Sequence, residues 1–338
     1  MNETFIIAEA GANHNRDINI AKSLIDVASD SGCDAIKFQT YSADTLYAGD
    51  TPDFAGYENI SELIKSLELP RDWHAILKDH CDNKGIEFMS TPFDKKAIEE
   101  LCDVGVSRIK IAGFESTDPR IVKEVARAKL PVIFSAGIGS SLSMAKNTVN
   151  WIREENPEAD ITILHCNNAY PTPIVDINLG QIAKLKEIDG VSVGLSDHTE
   201  GILVPPLAVA MGATCIEKHF TLSRRLSGPD HPFAIEPREL SEMVYNIRRT
   251  ELAMQQKNTD LTDSEKDFKM AMRSVVAAKN IKKGDTYTLD NLTTKRPCLP
   301  DSIPAINYYD IIGRKATEDI KENQILSKAD MLRVKDAS

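Results

Sequence analysis

Two histidines stand at the ends of two short β-branched runs: His198 in VSVGLSDHTEG and His219 in ATCIEKHFTLSRRLSGPDH. Side chains alternate faces along a strand, so Ser196 shares a face with His198, and Glu217 shares one with His219. If the two strands lie side by side in a parallel sheet, both imidazoles reach the same end of it. A barrel enzyme builds a divalent-metal site with open coordination positions in this way. Asp197, Asp230 and His231 are close by in the chain and add further donors. Either histidine alone reads more readily as a hydrogen bond to a loop than as a ligand; the pair is what points to a metal.

Other chemistry-bearing residues also fall where short apolar runs end. They are Glu9, Asn13 and His14; Lys37 and Gln39; Ser90 and Thr91; Lys110; Ser135; and His165, Asn167, Asn168 and Tyr170. Two lysines, several hydroxyls and an asparagine pair suit an oxyanion such as phosphate or carboxylate. Two histidines with several carboxylates suit a metal and proton transfer. Lys37 has two readings, an ion pair with Glu9 or a contact to a bound anion. Lys37 and Lys110 lie in otherwise apolar runs, and burying a cation without a counter-charge is costly, which favours the anion. Cys166 and Cys215 read as core filler, because no base is implied beside either thiol.

The elements that must position these residues recur about every 25 to 30 residues. The strand candidates are FIIAEAG, CDAIKFQT, IEFMSTP, SRIKIAG, PVIFSAG, ITILHCN, VSVGLSD and TCIEKHFT, which makes eight. Between them lie amphipathic helical stretches such as INIAKSLIDVASDSG and DPRIVKEVARAKL. Strands alternating with helices demand parallel pairing, and eight such units close a (β/α)8 TIM barrel. An open doubly wound sheet is disfavoured, since no GxGxxG follows a strand. The insertion from Ser42 to Pro70 reads as a lid or an edge of the site mouth. The barrel is expected over residues 1–256 and a polar linker over 257–271. A small domain of short strands and turns follows over 272–334, within which Ile281–Asp285 aligns with Ile320–Gln324 at an offset of 39.

Composition bounds the function. A net charge of −11, from 40 basic and 51 acidic residues without long runs, disfavours nucleic acid and anionic membrane as partners. Six cysteines without a CxxC pair fit reduced thiols in a cytoplasmic enzyme. The start of the chain does not read as a signal peptide, and no later apolar run is long enough to span a bilayer.

Almost end to end, the chain resembles the sialic acid synthases, which include the makers of legionaminic and pseudaminic acids. The motifs that carry the resemblance are IIAEAGANHN, IKFQT, STPFD, FSAGI, LHCNNAYPTP, GLSDHT, IEKHFT and SGPDH, with a C-terminal region, containing KRP, that resembles an antifreeze-like (SAF, β-clip) domain. The resemblance implies that phosphoenolpyruvate condenses with an open-chain N-acylated hexosamine to give a nine-carbon 2-keto acid and phosphate. It implies phosphoenolpyruvate binding by Lys37, Thr91, Lys110, Ser135, Asn168 and Ser196, and a divalent ion, Mn²⁺ or Mg²⁺, on His198 and His219. Glu115 would transfer the proton, and Glu9, Gln39, Tyr170 and Asp230 would contact the sugar or orient the reacting groups. Arg296, in KRP, would enter the site of a partner subunit in a domain-swapped homodimer. One departure is Gly113 in Lys110-Ile111-Ala112-Gly113-Phe114-Glu115, where the family commonly has serine; another is Met272, near a position where some members place an aromatic residue. SGPDH looks more like the N-acetylneuraminate and legionaminate branches. The rival readings are a phosphoenolpyruvate-dependent 3-deoxy sugar acid synthase using another aldehyde, and a non-catalytic sugar-binding protein with a degenerate site.

Overall fold

The computed structural model describes residues 3–48, 51–52, 58–138, 142–255 and 261–329. The chain divides into two compact units, residues 1–255 and 256–338. In the first unit eight parallel strands run β1 (Phe5–Gly11), β2 (Ala35–Thr40), β3 (Glu87–Pro92), β4 (Ile109–Ile111), β5 (Val132–Ala136), β6 (Ile161–Cys166), β7 (Ser192–Asp197) and β8 (Cys215–His219). Their order is β3-β2-β1-β8-β7-β6-β5-β4, and the end strands β3 and β4 pack against one another to close the ring. Helices separate the strands, so the unit is a TIM barrel, as the eightfold pattern predicts.

Local chemistry starts and stops these helices. Asp17, Asp94 and Asp118 each stand at an N-cap and accept a backbone N–H from the first turn. Gly85 and Gly105 end two helices in the left-handed region, where a side chain is strained.

Period-two alternation then sorts every strand into an outward and an inward set. Outward-facing Ile6, Ile36, Phe88, Phe134, Ile163, Leu195 and Ile216 pack under the helices in the main core. Inward-facing Ile7, Ala35, Met89, Ile133, Leu164 and Cys215 form a separate apolar plug. Two residues further along the same strands stand Glu9, Lys37, Thr91, Ser135, Cys166 and Glu217, so a polar layer lies directly above an apolar floor. That floor anchors the site from below.

The Ser42–Pro70 insertion contributes two short helices, Ala43–Leu46 and Ile60–Leu67, at the mouth of the barrel. Residues 257–260 of the expected linker lie outside the described residues, whereas Asp263–Ala271 form 3₁₀ turns behind a Thr262 cap. No helix among the described residues is long and apolar enough to cross a membrane.

The second unit pairs β9 (Ser274–Ala277) with β10 (Leu292–Lys295) over a small core that includes Val275, Ile281, Tyr287, Ile303 and Ile320. Its hydrogen bonds follow the 39-residue offset. Ile281 and Ile320, equivalent positions, exchange backbone bonds of 2.8 Å in both directions. Ala277 N–H donates to Gln324 O at 3.0 Å, and the equivalent Ala316 N–H donates to Asp285 O at 2.8 Å. The bond from Gly284 to Ala316 likewise has its mate from Asn323 to Ala277. A pseudo-twofold axis therefore passes between Ile281 and Ile320.

Candidate active site

The strand register builds the site row by row. Glu9 is level with Lys37 on β2 and with His219 on β8, while Ser196 is level with Glu217. In the polar layer the Lys37 ammonium lies 2.8 Å from Glu9 Oε2 and 3.9 Å from Glu217 Oε1, and donates to Thr91 Oγ1 at 3.0 Å. Across the barrel the Lys110 ammonium lies 3.6 Å from Glu217 Oε2 and donates to Ser135 Oγ at 2.8 Å. Ser196 Oγ donates to Glu217 Oε1 at 3.1 Å. Lys37 therefore pairs with Glu9, the first of its two readings, and also donates to a hydroxyl of the same layer.

These charges are almost wholly buried. Burial pushes the Glu9 carboxyl up to about 8, against the pull of Lys37. Burial also raises Glu217, but the charges of Lys110 and then Lys37 outweigh it and keep that carboxylate ionised. Burial works against the charge on Lys37, and Glu217 and Glu9 more than restore it. Burial pulls Lys110 down, against the charge of Glu217, so the layer offers an anionic ligand one firmly charged lysine, a second lysine donor and the hydroxyls of Thr91, Ser135 and Ser196.

Above this layer sit the histidines, with ring centroids 5.3 Å apart. His198 Nδ1 is 2.7 Å from the carbonyl of Asn167, which can only accept; Nδ1 therefore carries the proton and Nε2 keeps its lone pair. His219 Nδ1 is buried without a hydrogen-bond partner and lies 3.9 Å from Asp230 Oδ2. Burial lowers the pKa of both rings, so both are neutral at physiological pH, the form that holds a metal. Two such imidazoles fit a divalent cation with open positions. No group of three or more His, Cys, Asp or Glu is arranged around one ion among the described residues. Two donors named from the sequence point elsewhere. Asp197 alternates to the outer face of β7 and pairs with Lys218, and His231 is bonded through Nδ1 to Thr221 and through Nε2 to Asn15.

Beside His219 and Gln39 lies a cleft of about 460 Å³. Gln39, Glu115, Asn168, Tyr170, His219 and Asp230 line it, with apolar walls that include Leu46, Tyr47, Ile60, Phe93, Phe114 and Phe233. Gln39 donates to Glu9 at 3.1 Å, and the Tyr170 ring packs at a tilt against His198, with centroids 4.3 Å apart. Glu115 opens a single 3₁₀ turn after β4; burial raises its carboxyl to about 7, and its Oε2 has no partner.

Gly113 has a steric account. A Cβ there would come within 2.9 Å of the Asn168 carboxamide, and one at Gly137 within 1.9 Å. The carboxamide is wedged between the two glycines and accepts the Ile138 N–H at 2.8 Å. Asn168 thus crowds the space that the Cβ of any larger residue at 113 would need.

Thirteen of the site residues read from the sequence converge in the first unit. Arg296 belongs to the second unit, exposed after β10, where Met272 also lies. Glu217 was recognised at a strand end without a role, yet it is the carboxylate shared by both lysines.

The NeuB family model matches residues 24–259 and the SAF domain model residues 272–332. The N,N'-diacetyllegionaminic acid synthase of Campylobacter jejuni is 37% identical over 335 residues, covering 96% of this chain and 99% of that protein. A pseudaminic acid synthase of the same species is also 37% identical, over 97% of this chain and 96% of its own length. The crystal structure of the N-acetylneuraminic acid synthetase from Leptospira borgpetersenii, in complex with citrate, superposes with a TM-score of 0.72 at 34% identity. That match covers 79% of this chain and 90% of the other. With its barrel matched by one model and its C-terminal unit by the other, the chain belongs to the NeuB family, enzymes of the sialic acid synthase type, and carries a SAF domain.

Proposed function

We propose that the chain condenses phosphoenolpyruvate with the aldehyde of an open-chain N-acylated hexosamine, giving a nine-carbon 2-keto acid and phosphate. The observation that carries this reading is the buried layer of Lys37, Lys110, Thr91, Ser135 and Ser196 beneath two neutral histidines, of which His219 also lines the cleft. Lys37 and Lys110 would hold the anionic groups of phosphoenolpyruvate, with Thr91, Ser135, Ser196 and Asn168 completing its polar contacts. His198 and His219 would hold a divalent ion, Mn²⁺ or Mg²⁺, which supplies Lewis acidity at the aldehyde oxygen.

The remaining chemistry belongs to the substrates and to this chain. The methylene carbon of phosphoenolpyruvate bonds to the aldehyde carbon, whose oxygen takes up a proton. Water adds at the former enol carbon and gives up a proton, and the C–O bond to phosphate breaks. Glu115, with its carboxyl poised near 7, is the group we assign to proton transfer at the water step. Glu9 and Gln39, bonded to one another, would orient the reacting groups. Tyr170 and Asp230 would contact the sugar.

The cleft walls support an unphosphorylated, acyl-bearing sugar. They are largely apolar, they carry the carboxylates Glu115 and Asp230, and among the described lining residues there is no lysine or arginine. Phosphate release from phosphoenolpyruvate is the test, with Mn²⁺ and a panel of N-acetylmannosamine, its 6-phosphate, 2,4-diacetamido-2,4,6-trideoxyhexoses and arabinose 5-phosphate. Release with an unphosphorylated hexosamine is the expected result. Release only with the pentose phosphate would move the chain to synthases of shorter 3-deoxy sugar acids. Silence with every aldehyde, in folded and metal-loaded protein, would overturn the proposal.

A further inference from the structure

Behind the histidines lies a buried ion pair that the chemistry above does not use. Asp197 and Lys218 face each other across β7 and β8, on the outer side of the barrel wall, at 2.8 Å and with side chains 0% and 1% exposed. Lys218 also donates to the Thr199 carbonyl. Asp197 Oδ1 accepts both the Thr199 N–H, at 3.0 Å, and the Thr199 hydroxyl, at 2.8 Å. The last residue of β7, Asp197, and Thr199 in the turn after it are thereby tied to β8 through one ammonium group.

Stability does not explain the pair. Burying two charges costs several kcal/mol per ion, and well-packed apolar residues of similar volume serve as well or better. Other outward positions of the same wall, such as Leu195 and Ile216, are apolar. What distinguishes this pair is its place in the chain. His198 follows Asp197 and precedes Thr199, and His219 follows Lys218, each with its side chain on the opposite, inner face. The knot therefore fixes the backbone on which both imidazoles stand. His198 is held from its other side by Asn167 O at Nδ1 and by the Thr172 N–H at its carbonyl.

We propose that Lys218 and Asp197 are positioning residues that set the spacing of His198 and His219 for a divalent cation. The proposal rests on the metal reading above. Outer-shell residues of this kind are worth about 10- to 100-fold in metal affinity. The test uses full-length protein with Asp197→Leu and Lys218→Met together, read by the EPR signal of free Mn²⁺ and by thermal unfolding without metal. The double variant should unfold near the wild-type temperature but bind Mn²⁺ at least about tenfold more weakly. Its KM for phosphoenolpyruvate should be unchanged, and kcat should recover at saturating Mn²⁺. A Mn²⁺ affinity equal to wild type in the folded double variant would overturn the positioning role alone. Wild-type protein that binds no Mn²⁺ would overturn the metal reading with it. If the double variant does not fold, Asp197→Asn decides. It removes the charge that pairs with Lys218 while keeping the shape and the acceptor for Thr199, and unchanged Mn²⁺ affinity there would also refute the proposal.

Discussion

Replacing Glu115 by glutamine tests both the surroundings of that carboxyl and its role. Burial moves it from an ordinary 4.5 to about 7. The folded protein thus holds this proton more tightly than the unfolded chain does. The stability contributed by the group is fully present below the unfolded value and is lost as the pH rises through 7. The displacement corresponds to about 3 kcal/mol between the two limits, as an upper figure, because the residue is partly reached by water. Glutamine has the same shape and no charge to desolvate. At pH 5 the variant and the wild type should therefore unfold at nearly the same urea concentration, while at pH 8 the variant should be more stable by about 2–3 kcal/mol. Trp73 and Trp151 both lie in the barrel, so tryptophan fluorescence reports on the relevant unit. A stability difference equal at the two pH values would refute the burial argument. The same protein should lose about 10²–10⁴-fold in turnover if Glu115 transfers the proton; retained turnover would remove that role.

Gly113→Ser forces a Cβ to within 2.9 Å of the Asn168 carboxamide, and overpacking of this kind costs about 1–3 kcal/mol. The KM for phosphoenolpyruvate should rise accordingly, and a lowered KM would mean that Asn168 yields and the new hydroxyl joins the site. His219→Ala should abolish Mn²⁺-dependent turnover and leave thermal unfolding close to wild type; turnover independent of added metal would exclude the metal role. We propose that Arg296 acts across subunits of a domain-swapped homodimer, so an Arg296→Ala chain mixed with a His219→Ala chain should recover activity in heterodimers. No recovery, with subunit exchange demonstrated by mass spectrometry, would refute the swap.

The barrel was legible because its two periodicities are clean. The eight apolar runs coincide with β1 to β8 to within two residues at either end, and the alternate residues that close each run form the polar layer. The same alternation, carried one step further, would have turned Asp197 away from the histidines, since it lies between Ser196 and His198 on the strand. Glu217 was harder. Its significance depends on barrel closure bringing Lys37 of β2 and Lys110 of β4, the strand across the ring, to one carboxylate on β8, a relation between residues more than 100 positions apart that no local pattern carries. The wedge of Asn168 between Gly113 and Gly137 was illegible for the same reason: a glycine shows only what is absent, and the neighbour that fills the gap comes from another strand. The Ser42–Pro70 insertion was recognised by its length, but its helices are too short for periodicity to reveal their apolar lining of the cleft.

The pseudo-twofold axis through the second unit has a consequence for how that unit holds itself together. Ladder bonds such as those between Ala277 and Gln324 or Ala316 and Asp285 join one half to the other, so a lone half would leave those edges open. The unit is, in effect, a homodimer whose two copies share a covalent chain. A short tether gives the second copy an effective concentration in the millimolar range, which no cellular concentration of a free half would match. The connection between the halves passes through Ile306, 87% exposed and open to a protease. Cleavage there would leave the ladder bonds between the halves in place and yet convert the folding of the unit from a unimolecular event into a bimolecular one, dependent on dilution.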